Sequence, residues 1–251
     1  MTLHSLDEAM TGLFSYLESI DDIPVTQITQ KVAIISIPRS GSSLFCNVLE
    51  HTNQFGYPLE WICKGFMEGY QRYFKIPDFN ITSYIDYVMR KSVTKNGVFS
   101  IHFHVEQYTA LLHSGFDIFS LGFDHIYYVN REDKLEQAYS YAKAQITNQW
   151  SSNLKCDTEI EGVLSKSLVF ESLNSIVKSE EYYEQYLAEN IDRVFHYEDF
   201  SQLNKTTAYS QVLDDMNIEY GSLQLSTFMQ KQRTIEDELA IKKLRAYLSV
   251  K

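Results

Sequence analysis

The chain has 251 residues, with 44% apolar and 22% charged residues. Its 18 Tyr and 15 Phe exclude a disordered chain, and its length supports a buried core without cross-links. Lys plus Arg is 22 against 33 for Asp plus Glu, a net charge of −11, which excludes an overall basic footprint for nucleic acid or an anionic membrane.

Residues 5–20 carry Leu6, Met10, Leu13, Phe14, Leu17 and Ile20 at helical spacing, ended by Asp21, Asp22 and Pro24. Residues 32–37, VAIISI, are a continuous apolar run, expected of a strand buried on both faces. A helix follows over 43–52, with Leu44, Val48 and Leu49 inward. Helices are expected near 65–75 and 80–92, then a turn at Asn96-Gly97. Residues 98–105, VFSIHFHV, read as an alternating strand, and 106–114 as a short helix. HIYYVN (125–130) is another strand, followed by a helix over 132–149 with Leu135, Ala138, Tyr139, Ala142 and Ile146 along one side. A polar loop at 151–160, a helix over 163–188, a strand at 193–197 and helices over 206–217 and 235–249 complete the pattern.

Strands alternating with helices predict an α/β fold, a parallel sheet flanked by helices, in a single domain spanning 1–251. Ligands in such sheets bind beyond the carboxyl ends of the strands. Cys46, Cys63 and Cys156 form neither a CxxC pair nor a zinc spacing, which suggests a reducing compartment, and the cytoplasm is the expected location. No run is long and apolar enough to span a membrane, and the N-terminal residues lack the pattern of a signal peptide.

The chemistry concentrates after the first strand, in Pro38-Arg39-Ser40-Gly41-Ser42-Ser43. Strand, tight loop and helix N-terminus form an anion cradle of backbone amides. Gly41 permits close approach or a positive φ, the serines add hydroxyls, and Arg39 adds a forked cation. The loop lacks the spacer and Gly-Lys-Ser/Thr ending of a Walker A motif, so one phosphate fits better than a triphosphate. The plainer reading is a serine-rich turn that caps a helix.

The segment PRSGSSLF resembles the 5′-phosphosulfate loop of sulfotransferases. Arg131, after HIYYVN, and Ser140, nine residues on, resemble that family's pair for a 3′-phosphate. GYPLEW (56–61), NGVFSIHFHVEQ (96–107), REDKLEQAYSYAKAQITNQW (131–150) and MQKQRT (229–234) carry a closer resemblance to the bacterial trehalose and lipopolysaccharide-type sulfotransferases. The resemblance implies a P-loop-like sulfotransferase fold and a sulfuryl donor, 3′-phosphoadenosine-5′-phosphosulfate (PAPS), with adenosine 3′,5′-bisphosphate as product and no metal. It implies an acceptor hydroxyl, expected on a carbohydrate or glycolipid. Pro38 to Ser43, Arg131, Ser140, Lys231 and Arg233 would then hold the nucleotide, with Arg39 stabilising the leaving phosphate.

Glu60 falls where the closer family places a carboxylate facing the acceptor hydroxyl. His104 is the rival base, at the histidine position of aryl and steroid sulfotransferases. His102 occupies the position where Lys is usual, so a cation there requires its protonation. Glu60 is preferred. Trp150, Tyr197 and most aromatics of 55–74 are expected in the core. A non-catalytic nucleotide-binding protein on the same fold and a P-loop phosphotransferase stay open as alternatives, as does a homodimer.

Overall fold

The computed structural model describes residues 6–152, 164–220 and 224–249. Most of the polar loop read at 151–160, with Cys156, and the first residue of the helix read from 163 lie outside the described residues. The elements run α1 (Leu6–Ser19), β1 (Gln30–Ser36), α2 (Ser42–His51), α3 (Lys64–Phe74), α4 (Ile81–Ser92), β2 (Val98–His104) and α5 (Val105–His113). They continue as β3 (His125–Asn130), α6 (Lys134–Thr147), α7 (Lys166–Tyr186), β4 (Arg193–His196), α8 (Tyr197–Phe200), α9 (Thr207–Asp215) and α10 (Ile235–Ser249).

Four strands form one sheet in the order β2-β1-β3-β4, every pair parallel. The chain leaves β1 toward β2 and returns across β1 to reach β3. The loops after β1 and β3 therefore diverge, and a crevice opens between them at the carboxyl end of the sheet. One face of the sheet carries Val32, Ile34, Val98, Tyr127 and Val129 beneath Phe45, Val48 and Leu49 of α2 and Tyr209, Val212 and Leu213 of α9. The other carries Ala33, Ile35, Phe99, Ile101, Phe103 and Tyr128 beneath apolar residues of α1, α4, α5, α6, α7 and α10.

Several sequence expectations need correction. Residues Val98–Phe103 are all buried, so β2 does not alternate between core and solvent. A strand covered by helices on both faces has no wet side. On α2, Phe45 is fully buried while Leu44 is only half-buried, because the helix turns Phe45, Val48 and Leu49 toward the sheet and leaves Leu44 at the edge of that face. Ile146 is exposed at the end of α6. That helix starts at Lys134, where the Asp133 side chain accepts a hydrogen bond from the Glu136 amide, so Arg131 precedes the helix rather than lying in its first turn. Of the aromatics of 55–74, only Phe55 and Trp61 are fully buried; Tyr57, Phe66, Tyr70, Tyr73 and Phe74 are half-buried and pack against the core around Phe14 and Tyr87. Among the described residues, no helix is long and apolar enough to cross a membrane.

Candidate functional site

A cavity of about 780 Å³ occupies the carboxyl end of the sheet. Its walls include Pro38, Arg39, Gly41, Ser42 and Ser43 after β1, Glu60, His104 and Gln107 on one side, and Arg131, Ser140, Lys231 and Arg233 on the other. Residues from five distant segments of the sequence thus line one space.

The loop is built on two left-handed backbones, Arg39 at φ 66° and Gly41 at φ 89°. A Cβ on Gly41 would lie 2.3 Å from Cδ2 of Tyr197, so both conformation and space require glycine. Gly41 is also the N-cap of α2, with no side-chain cap, and the Ser40 hydroxyl is buried without a partner among the described residues. The serines therefore do not cap the helix. The first amides of α2 have no partners inside the helix, and Ser42, Ser43 and Leu44 line the cavity.

Arg39 makes three hydrogen bonds across the cavity. Its Nε donates to Ser140 Oγ (2.9 Å), Nη1 to the Trp150 carbonyl (2.7 Å) and Nη2 to Gln232 Oε1 (2.6 Å). Burial, with Arg131 nearby, lowers its pKa to about 10, which leaves it charged at neutral pH. The sequence reading assigned Arg39 and Ser140 to opposite ends of a ligand; here they touch. Trp150 is also a correction: its side chain is 42% exposed and lines the cavity instead of the core. Tyr197 is likewise at the cavity wall, with the Arg131 guanidinium carbon 4.7 Å above its ring.

Arg131 Nη2 donates to Glu136 Oε2 (2.8 Å), and Arg233 holds both oxygens of the same carboxylate (2.7 and 2.6 Å). Arg245 Nη2 lies 3.6 Å from it. Burial disfavours the ionised carboxyl, but Arg233 and Arg131 hold it below its ordinary range. Glu136 is thus the acidic hub of a cationic wall, a role no sequence motif announced. Its position one helical turn before Ser140 was the available signal. Arg131 Nε is buried with no partner among the described residues. Lys231 is 66% exposed and faces Glu238 at 3.9 Å.

On the opposite wall, Gly56 (φ 67°) turns the chain so that the segment before α3 runs beside the edge strand β2. The His102 amide donates to the Leu59 carbonyl (3.0 Å), which sets Glu60 beside both histidines. Glu60 Oε2 accepts from Gln107 Nε2 (2.7 Å), and Gln107 Oε1 accepts from the His104 amide (2.9 Å). Glu60 Oε1 lies 3.6 Å from His104 Nε2 and 3.9 Å from His102 Nδ1. Burial opposes ionisation of Glu60, but His104, His102 and Gln107 together hold its pKa well below the usual carboxylate range. Burial also opposes protonation of His104, but Glu60 outweighs it and raises its pKa. His102 is different. It is 2% exposed, does not line the cavity, and burial drives its pKa down to about 3. It is neutral, so it does not replace the cation expected at that position.

Among the described residues, no group of three or more His, Cys, Asp or Glu side chains is placed to hold a metal. Cys46 and Cys63 are free thiols, and burial pushes Cys63 up to about 12.

A parallel α/β sheet with a tight loop at its switch point, three arginines and a carboxylate–imidazole pair makes a site able to hold an anion beside a proton acceptor. A family model described as Stf0 sulphotransferase matches residues 32–245, and the chain belongs to that family. It is a sulfotransferase by family, an enzyme that transfers sulfate. A search of curated proteins finds no match.

Proposed function

We propose that the protein transfers a sulfuryl group from PAPS to a hydroxyl of a carbohydrate or glycolipid. The observation that carries this reading is the single cavity that joins the Pro38–Ser43 loop to Glu60 on one side and to Arg131 and Ser140 on the other. The residues fit a nucleotide with phosphates at two positions. Arg39 and the first amides of α2 would hold the 5′ end, and Arg131, Ser140 and Arg233 the 3′-phosphate. The buried, unpartnered Arg131 Nε belongs to a side chain that lines the cavity, where a bound anion would satisfy it.

When bound, PAPS supplies the sulfuryl group on a phosphate leaving group. Arg39 stabilises charge that grows on the departing oxygen, at a site where burial strengthens the interaction. Glu60, oriented by Gln107, accepts the proton of the acceptor hydroxyl. The exposed indole of Trp150 offers an apolar face for a sugar ring at the rim of the same cavity. Incubation with radiolabelled PAPS and a panel of carbohydrate and glycolipid acceptors tests the reading. Transfer to at least one hydroxyl acceptor is expected. Binding of the nucleotide with no transfer to any acceptor would favour a non-catalytic nucleotide-binding protein.

A further inference from the structure

Ser36 is a fully buried polar residue at the last position of the central strand β1. It pairs in register with His104, and His102 lies two residues back on the same face of β2. Its Oγ lies 2.7 Å from His102 Nε2 and 2.8 Å from His104 Nδ1. Together with Glu60, these side chains close a ring in which every ring nitrogen faces an oxygen: His102 Nδ1 and His104 Nε2 face Glu60 Oε1, and the other two face Ser36.

One assignment of protons sets an N–H, rather than a lone pair, against the carboxylate at both contacts. The Glu60 carboxylate is a negative acceptor, and at 3.6 and 3.9 Å, beyond direct hydrogen-bond distance, its charge favours an N–H over a lone pair on His104 Nε2 and His102 Nδ1. His102, buried and neutral, carries only that proton, so its Nε2 is a lone pair. The single Ser36 proton must then be donated to His102 Nε2. Its oxygen is left to accept, and the remaining neighbour, His104 Nδ1, must be its donor. His104 therefore carries protons on both nitrogens.

We infer that Ser36 is a positioning residue that fixes His104 as an imidazolium, which leaves Glu60 as the group that takes the acceptor's proton. The inference rests on the proposed reaction only for that last clause. A doubly protonated His104 has no free lone pair, so it cannot serve as the base. It instead places a cation at the cavity wall, where neutral His102 places none. The raised pKa of His104 agrees with this assignment. The charged or titratable groups facing His104 are Glu60, Glu106 from α5 and His102, and the Ser36 backbone also favours its protonated form.

Two-bond nitrogen–proton NMR of the full chain with labelled histidine tests this without substrate. At neutral pH, His104 should show both nitrogens protonated, and His102 should show a proton on Nδ1 and none on Nε2. Ser36→Ala should lower the His104 titration midpoint by about one unit, the scale of a lost hydrogen bond to a charged group. Ser36→Thr should restore most of it. A proton on His102 Nε2, or a neutral His104 at pH 7, would overturn the assignment even if no variant folds. An unchanged midpoint in a folded Ser36→Ala variant would also overturn it. Failure of the donor reading would appear separately, as absence of adenosine 3′,5′-bisphosphate binding.

Discussion

His104 Nε2 and Glu60 Oε1 lie 3.6 Å apart at the wall of the cavity, and each holds the other in its charged form. The two residues that the sequence offers as rival bases are therefore one ion pair. A pair this close titrates as a unit, and replacing either partner changes the other.

Glu60→Gln should lower kcat at least about a hundredfold, the scale of removing a general base. Affinity for adenosine 3′,5′-bisphosphate should stay nearly unchanged, because Glu60 is assigned to the acceptor side. His104→Asn should cost less. Steady-state kinetics and calorimetry on the two variants check this, and the reverse order of losses would make His104 the base.

The same pair sets a pH window for stability. Glu60 has a lowered pKa, so its contribution is present above about 4.5 and lost as pH falls through the lowered value. His104 has a raised pKa, so its contribution is full below about 6.5 and lost as pH rises through the raised value. The stability difference between wild type and Glu60→Gln should be greatest between about pH 4.5 and 6.5 and shrink on the alkaline side. Denaturant unfolding across that range measures it.

Gly41→Ala combines a left-handed backbone with a Cβ 2.3 Å from the Tyr197 ring. Holding alanine there costs about 1–2 kcal/mol before the clash is relieved. Bisphosphate affinity should fall at least about tenfold, with a lowered melting temperature. Calorimetry and thermal unfolding read both effects.

Most of the sheet and its helices were legible in the sequence, because VAIISI and HIYYVN are short apolar runs and the helices carry regular stripes. Residues that meet at strand ends were also legible, since a parallel sheet gathers them at one end: Arg39, His104 and Arg131 follow or close three different strands. Contacts set by side-chain reach were not. Arg39 meeting Ser140, Glu136 gathering arginines, and Trp150 facing the cavity depend on loop paths with no periodic signal. Ser36 looked like one polar letter in an apolar run, and only its register with His104 shows its place.

Glu136 competes for the same cations that a 3′-phosphate would need. Glu136→Gln keeps the shape of the side chain while removing its charge. It should tighten adenosine 3′,5′-bisphosphate binding several-fold and steepen its dependence on salt, because two arginines lose their internal counter-ion. Titrations at two ionic strengths test this; weaker binding would show that Glu136 orients the arginines instead.

Arg131 and its neighbours are assigned a second phosphate, apart from the one at the Pro38–Ser43 loop. The most direct test of that assignment is calorimetric titration with adenosine 3′,5′-bisphosphate and with AMP, on wild type and on Arg131→Ala. Wild type should bind the bisphosphate at least about tenfold more tightly than AMP. Arg131→Ala should remove about 1.5–3 kcal/mol of that advantage and leave AMP nearly unaffected. Equal affinity of wild type for the two nucleotides would contradict the account.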